Sequence, residues 1–376
     1  MTTDDVVEAV RDGSQGRARL FAFYLPQFHP IPENDEWWGP GFTEWRNVAR
    51  ARPLFRGHVQ PVLPGELGFY DLRLPEVQQA QAALAAGHLI EGFCVWHYWF
   101  AGKRLLHRPV DQVLELDTVR FPFCLAWANE PWSRRWLGEE SNVLQRQTYS
   151  DEDDQEHARW LALAFASRQY LAVGGRPLFA IYAPMSLPDA TRTVDVIKGV
   201  ACKEGLPEPY LVAIDARRPG ADFAALGFDS TLNFEPQLSH LPSALDDGRG
   251  VSRLLRNLRR GVASAQVKIY DDSEAREMFA VNRGSCWSHR TVVVGWDNTP
   301  RRGKDGIVLT GSSPTTYQAS LEAAIADAEE RHATRDERIV WINAWNEWAE
   351  GNHLEPDLER GRGYLEATRA ANLPRR

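Results

Sequence analysis

Trp341-Ile342-Asn343-Ala344-Trp345-Asn346-Glu347-Trp348-Ala349-Glu350-Gly351 decides how the rest of the chain is read. An apolar, strand-like run, Arg338–Ala344, ends in two carboxylates three residues apart, set among tryptophans and followed by glycine. Burial against apolar surface raises a carboxyl pKa, and a second carboxylate nearby drives the two values apart. One site thereby obtains a proton donor and a base at neutral pH. Tryptophan faces stack on sugar rings, so the combination points to glycoside chemistry.

Working outward, the same kind of run recurs. Short apolar, β-branched or aromatic stretches predict strands at Leu20–Leu25, Leu89–Trp96, Pro122–Ala128, Pro177–Tyr182, Pro209–Asp215, Phe228–Asn233, Thr291–Trp296 and Arg338–Ala344. Helix-like segments lie between them. Leu74–Gly87 is rich in alanine and glutamine, Asp151–Leu171 opens on an acidic turn, and Thr191–Glu204 ends at Gly205. Pro314–His332 follows Ser312-Ser313, which are suited to capping. Eight strands alternating with helices predict a single-domain (β/α)8 barrel over residues 19–372, after a flexible N-terminal segment, 1–18. An open doubly wound sheet is the alternative, but no Gly-rich phosphate loop follows an early strand.

Polar and aromatic residues gather where these runs end: Tyr24, Gln27 and His29; His97, Tyr98 and Trp99; Asn129 and Glu130; Tyr182; Asp215; Glu235; Asp297 and Asn298; Asn346 and Glu347. In a barrel, strand C-termini converge on one mouth. If a helical turn follows the last strand, Glu347 and Glu350 share a face. The plainer alternative is a salt-bridged loop pair, partnered by Arg360 or Arg362. In Trp96-His97-Tyr98-Trp99-Phe100 the alternation of a strand prevents all five rings from facing inward. His97 is either a mouth residue or a satisfied core histidine. The loop from Pro30 to Gly41 is long and irregular, and Glu44 and Trp45 beyond it are candidates for the cleft. Arg134-Arg135 could hold an anionic group, but a solvated charge pair explains them as well.

The bulk composition excludes several classes. The 376 residues are 43% hydrophobic and 25% charged, with a formal net charge of −8 and no long basic run, a poor profile for binding nucleic acid. There are 14 tryptophans, a residue used both in cores and on binding surfaces. No secretory signal or membrane-length apolar run is evident, and four scattered cysteines lack CxxC spacing. The expectation is a cytoplasmic protein with reduced thiols, no metal and no cofactor.

Several stretches resemble the WbsX-like group, which is related to glycoside hydrolase family 99, the endo-α-mannosidases. They are Tyr24-Leu-Pro-Gln-Phe-His-Pro, Pro32 through Val48, Gly92 through Phe100, Ala126-Trp-Ala-Asn-Glu-Pro-Trp, Asp297-Asn-Thr-Pro-Arg-Arg and Trp345-Asn-Glu-Trp-Ala-Glu-Gly. The matches run from about Phe21 to Asp357. The resemblance implies a (β/α)8 barrel that retains anomeric configuration. It implies that Glu347 removes the proton of the sugar 2-hydroxyl, which attacks the anomeric carbon to give a 1,2-anhydro intermediate. Glu350 then protonates the leaving oxygen and later activates water. Such chemistry needs an α-manno or related configuration. Trp96 and His107 depart from the group's usual tyrosine and glutamate.

The resulting expectation is a hydrolase of an α-linked manno or deoxy-manno glycan, with a bacterial surface polysaccharide as one candidate substrate. Glu347 and Glu350 are the catalytic pair, with Glu350 the carboxyl that holds its proton near neutral pH. Tyr24, His97, Tyr98, Trp99, Asn129, Glu130, Tyr182, Asp297, Trp345 and Asn346 are expected around the carbohydrate. A polysaccharide-building glycosyltransferase and a silent carbohydrate-binding barrel are the rivals.

Overall fold

The structure is a computed structural model that describes residues 16–116, 120, 122–134, 139–215, 221–238, 241, 267–281 and 288–374. Eight parallel strands close into a barrel: β1 (Arg19–Tyr24), β2 (Gly92–Phe100), β3 (Phe123–Trp127), β4 (Arg176–Ile181), β5 (Tyr210–Asp215), β6 (Ser230–Asn233), β7 (Ser288–Val293) and β8 (Ile339–Asn343). Closure runs through β1, where Phe21 pairs with Gly92 on one side and Trp341 on the other.

Helices fill the crossovers. α1 (Pro32–Trp38), α2 (Glu44–Arg50) and α3 (Pro75–Gly87) lie between β1 and β2, and α4 (Arg108–Glu115) between β2 and β3. α5 (Asp151–Phe165) and α6 (Ala190–Lys203) follow β3 and β4. α7 (Asp272–Val281) precedes β7, α8 (Thr299–Arg302) and α9 (Pro314–Arg331) follow it, and α10 (Gly363–Asn372) closes the chain. Ser313 accepts from the Thr316 amide, and the Thr316 hydroxyl accepts from the Ser313 amide, a capping box at the start of α9.

Alternation along the strands sorts the aromatic residues. Phe23 stacks on Trp96 at 4.9 Å and on Trp341 at 5.5 Å inside the barrel, and Phe234 meets Phe23 edge-on at 5.2 Å. His97 and Trp99, one residue out of phase, face α5: His97 stacks on Trp160 at 4.6 Å and Trp99 on His157 at 4.6 Å.

The structure differs from the sequence reading in three places. The segment after β1 contains α1 and α2, both seven residues long and too short to show a helical period. Pro32 at the first turn with Glu33 and Asp35 supplies the local signal. β2 continues to Phe100 and turns into a hairpin with Lys103–Leu105. β7 begins three residues earlier than predicted, because polar Ser288 and His289 are buried; the Trp341 indole donates to His289 Nδ1 at 3.2 Å. Residues 1–15 of the expected flexible segment and Arg135 lie outside the described residues. Arg17 and Ala18 are tied to Asn372 by backbone and side-chain hydrogen bonds.

Candidate active site

The C-terminal mouth of the barrel holds a cavity of about 650 Å³. Its aromatic wall comes from Trp38, Trp96, Tyr98, Trp132, Tyr182, Phe234 and Trp296, and its polar wall from Gln27, Glu130, Asn298, Arg301, Arg302, Asn343, Glu347 and Glu350.

Glu347 and Glu350 meet on one guanidinium. Arg301 donates from Nη2 to Glu347 Oε2 at 2.8 Å, from Nη1 to Glu350 Oε1 at 2.6 Å and from Nε to Glu44 Oε2 at 3.1 Å. The partner of the pair is therefore Arg301, not Arg360, which pairs with Asp357 and Glu359, nor Arg362, which pairs with Glu66. Glu44 is fully buried, and Arg301 and Glu347 nearly so. Three carboxylates on one cation leave an excess of negative charge in a dry place. Burial pushes Glu347 up to about 8; Arg301 pulls it down, and Glu350 and Glu44 push it further up. Burial likewise raises Glu44 against the pull of Arg301. The sequence reading had put the raised carboxyl at Glu350; the structure raises Glu347. Tyr98, in the same wall, is raised by burial and then by the Glu347 charge.

The last motif can be read residue by residue. The Trp345 amide donates to Phe23 O at 2.7 Å, and its ring packs on Phe93. Asn346 continues the ladder with its side chain: Oδ1 accepts from the Leu25 amide at 2.7 Å and Nδ2 donates to Leu25 O at 3.0 Å. Glu347 pairs with Asn352 in a two-residue antiparallel bridge, and Trp348–Glu350 form one 3-10 turn. That turn replaces the helical turn expected there. The Trp348 indole donates to Glu355 Oε2 at 2.6 Å, and its ring stacks on His353 at 3.8 Å. Gly351 has φ +59°, and a Cβ there would lie 2.9 Å from Asp297 Cβ. Only glycine permits both that backbone conformation and the close approach.

Asp297 fastens the segment that carries Arg301. Its amide donates to Glu350 O at 2.6 Å, and its Oδ1 accepts from the Thr299 amide and hydroxyl at the start of α8. Its Oδ2 accepts from His58 Nε2 and Gln60 Nε2, each at 2.7 Å. The Leu54 amide donates to His58 Nδ1, which places the imidazole proton on Nε2. Burial opposes ionisation of Asp297, but the bonds from His58, Thr299 and Gln60 outweigh it and hold the carboxyl below its ordinary value.

Of the residues expected around a sugar, Tyr98, Glu130, Tyr182, Glu347 and Glu350 line the cavity. The others do not. Tyr24 points outward from the barrel and donates to Gln81 Oε1 at 2.8 Å. His97 and Trp99 face α5, where His97 Nε2 lies 3.0 Å from His157 Nε2 and the Trp99 indole donates to Asp153. Asn129 joins the ends of β3 and β4 through both atoms of its amide, bonded to Ala183. Trp345, Asn346 and Asp297 support the turn that carries Glu347 and Glu350 from behind. Glu235, another run-end residue, is buried beside the cavity and pushed to about 7 by burial. The reading missed Arg301, Trp38, Trp96, Trp132 and Trp296 as wall residues. Trp96 had the signal, since inward phase on β2 falls on even positions. Among the described residues no group of three or more His, Cys, Asp or Glu has a metal-holding arrangement, and no helix is long and apolar enough to cross a membrane.

Comparison with known proteins agrees with this architecture. Two solved structures superpose across nearly the whole chain. One is the family 99 endo-α-mannosidase from Bacteroides thetaiotaomicron, with a TM-score of 0.55 and 14% identity, covering 94% of this chain and 96% of that one. The other is described as a glycoside hydrolase-like protein, with a TM-score of 0.57 and 14% identity, covering 96% and 95%. The uncharacterized protein WxcX from two strains of Xanthomonas campestris pv. campestris is 42% identical over 360 and 361 residues. That is 94% of this chain and 49% of each relative, so the chain spans about half the length of the curated relatives it matches. Residues 20–368 match the family described as Glycosyltransferase WbsX. With nearly its whole length matched in this way, the chain belongs to the WbsX family.

Proposed function

We propose that this chain is a retaining glycoside hydrolase acting on an α-linked, manno-configured or deoxy-manno glycan. The observation that carries the reading is the pair Glu347 and Glu350, bridged by Arg301 at the wall of an aromatic-lined barrel mouth. The family 99 likeness of the fold and the motif around both glutamates support it.

Glu347 is the base. Its carboxylate takes the proton of the sugar 2-hydroxyl while O2 attacks the anomeric carbon, and the bond to the leaving oxygen breaks. Glu350 delivers a proton to that oxygen. The 1,2-anhydro sugar is then opened by water, which gives its proton to Glu350, while Glu347 returns its proton to O2. Two inversions give net retention. A base raised to about 8 suits a weakly acidic hydroxyl, because a stronger base takes up the proton more readily. The Arg301 charge opposes the effect of burial and keeps the Glu347 anion accessible.

The family description favours a second reading, a glycosyltransferase of polysaccharide biosynthesis such as that of O-antigen. A panel of aryl α-glycosides and bacterial polysaccharides, incubated with and without nucleotide sugars, separates the two. Hydrolysis of an α-manno substrate with no nucleotide sugar is expected. Turnover that requires a nucleotide sugar would overturn the hydrolase.

A further inference from the structure

Arg301 and Arg302 are consecutive and both line the cavity, but their charges are used differently. Arg301 is balanced by three carboxylates. Arg302 lies at the end of α8, its amide donating to Asn298 O at 2.9 Å, and its side chain makes no ion pair among the described residues. The residue is partly buried, and its Nε is shielded from solvent with no hydrogen-bond partner. A solvated surface arginine keeps its donors hydrated. A desolvated donor on a permanent cation is a standing cost, and an anion bonded to the remaining donors of the same guanidinium offsets it by balancing the charge. The planar fork of guanidinium fits a carboxylate or a phosphate through two parallel bonds. Trp296 and Asn298, from the same segment, line the same cavity.

We propose that Arg302 forms an anion subsite in the cavity wall that receives an acidic substituent of the glycan, a uronic carboxylate or a phosphate ester. The inference rests on reading the cavity as a glycan site. A neutral hydroxyl could accept from Arg302, but it would leave the charge unbalanced in a partly desolvated position.

Ligand-observed NMR titration tests this without turnover. Wild type, Arg302→Met and Arg302→Lys are titrated at low salt with mannose, mannuronate and mannose 6-phosphate. Wild type should bind at least one acidic sugar on the order of ten- to a hundredfold more tightly than mannose, as a charge-assisted bond allows. Arg302→Met should lose that preference, the acidic sugar and mannose then binding alike, while its melting temperature stays unchanged. Arg302→Lys should recover part of it. The two acidic ligands separate carboxylate from phosphate ester. Equal binding of acidic and neutral sugars by wild type, or an undiminished preference in Arg302→Met, overturns the subsite and leaves the glycan reading intact. If no sugar binds at all, the glycan reading falls and the subsite with it.

Discussion

Replacing Arg301 with methionine removes the cation on which three carboxylates converge, and the consequence can be worked from the geometry. The guanidinium lies 2.6 to 3.1 Å from oxygens of Glu44, Glu347 and Glu350, with its own side chain 6% exposed. At an effective dielectric of about 20, unit charges about 4 Å apart interact by about 4 kcal/mol, the equivalent of roughly three pKa units. Glu347, already raised to about 8, would move up by as much as that and stop serving as a base near neutral pH. Stability follows the same sign. Glu44 and Glu347 would have folded pKa values well above their unfolded value of about 4.3. Such groups favour the fold while protonated at low pH, and that contribution is lost as pH rises through the interval between the two values. Breaking a buried pair costs about 3–5 kcal/mol. Denaturant unfolding of wild type and Arg301→Met at about pH 8 and about pH 10 should therefore give a stability difference that widens by about 2 kcal/mol at the higher pH, the interval in which wild-type Glu347 has already ionised and the variant's has not. A difference of the same size at both pH values would refute the electrostatic account and leave only lost packing.

Three further outcomes follow from the same site. Glu44→Gln removes a charge that raises Glu347, so the acid limb of the kcat/KM–pH profile, expected near pH 8 in wild type because Glu347 must be ionised, should move down by up to about one unit; an unmoved or rising limb counts against it. Gly351→Ala forces a side chain into φ +59° and against Asp297, which should lower stability by about 1–3 kcal/mol in thermal or denaturant melts and reduce kcat by displacing the turn that carries Glu350; wild-type stability would show the contact to be slack. Glu350→Gln should retain more activity on an aryl glycoside with an acidic leaving group than on a natural glycan, whereas Glu347→Gln should fail on both. Equal losses on both substrates for Glu350→Gln would remove it as the proton donor.

The barrel could be read from the sequence because each strand is a short apolar run and four of the helices between them carry an acidic start, a glycine stop or a serine cap. The pairing of Glu347 and Glu350 in the cavity wall could be read because they sit where the last run ends. What strand ends do not reveal is phase. Tyr24, His97 and Trp99 stand at the right height and face the outer helices, one residue away from Phe23, Trp96 and Tyr98, which face inward. Asn346 and Asn129 were read as sugar ligands, but their amides serve as lateral rungs that fix the backbone of neighbouring strand ends. Arg301 was beyond local pattern altogether. Its partners lie 46 and 257 residues away in the chain for Glu347 and Glu44, and only closure of the barrel brings them together. The raised value at Glu347 is only partly local: Glu350 contributes from three residues away, but burial, Arg301 and Glu44 act on it only once the barrel has closed.

The central claim is that the 2-hydroxyl of the substrate is the nucleophile and Glu347 its base. Wild-type enzyme should be offered an aryl α-mannoside that it cleaves and the matching 2-deoxy glycoside, with binding and cleavage both recorded. The account predicts that the 2-deoxy compound binds and is not cleaved, because it has no proton for Glu347 to take and no oxygen to close the anhydro ring. Cleavage of the 2-deoxy compound at a rate like that of the parent would contradict the account and make a carboxylate nucleophile the better mechanism.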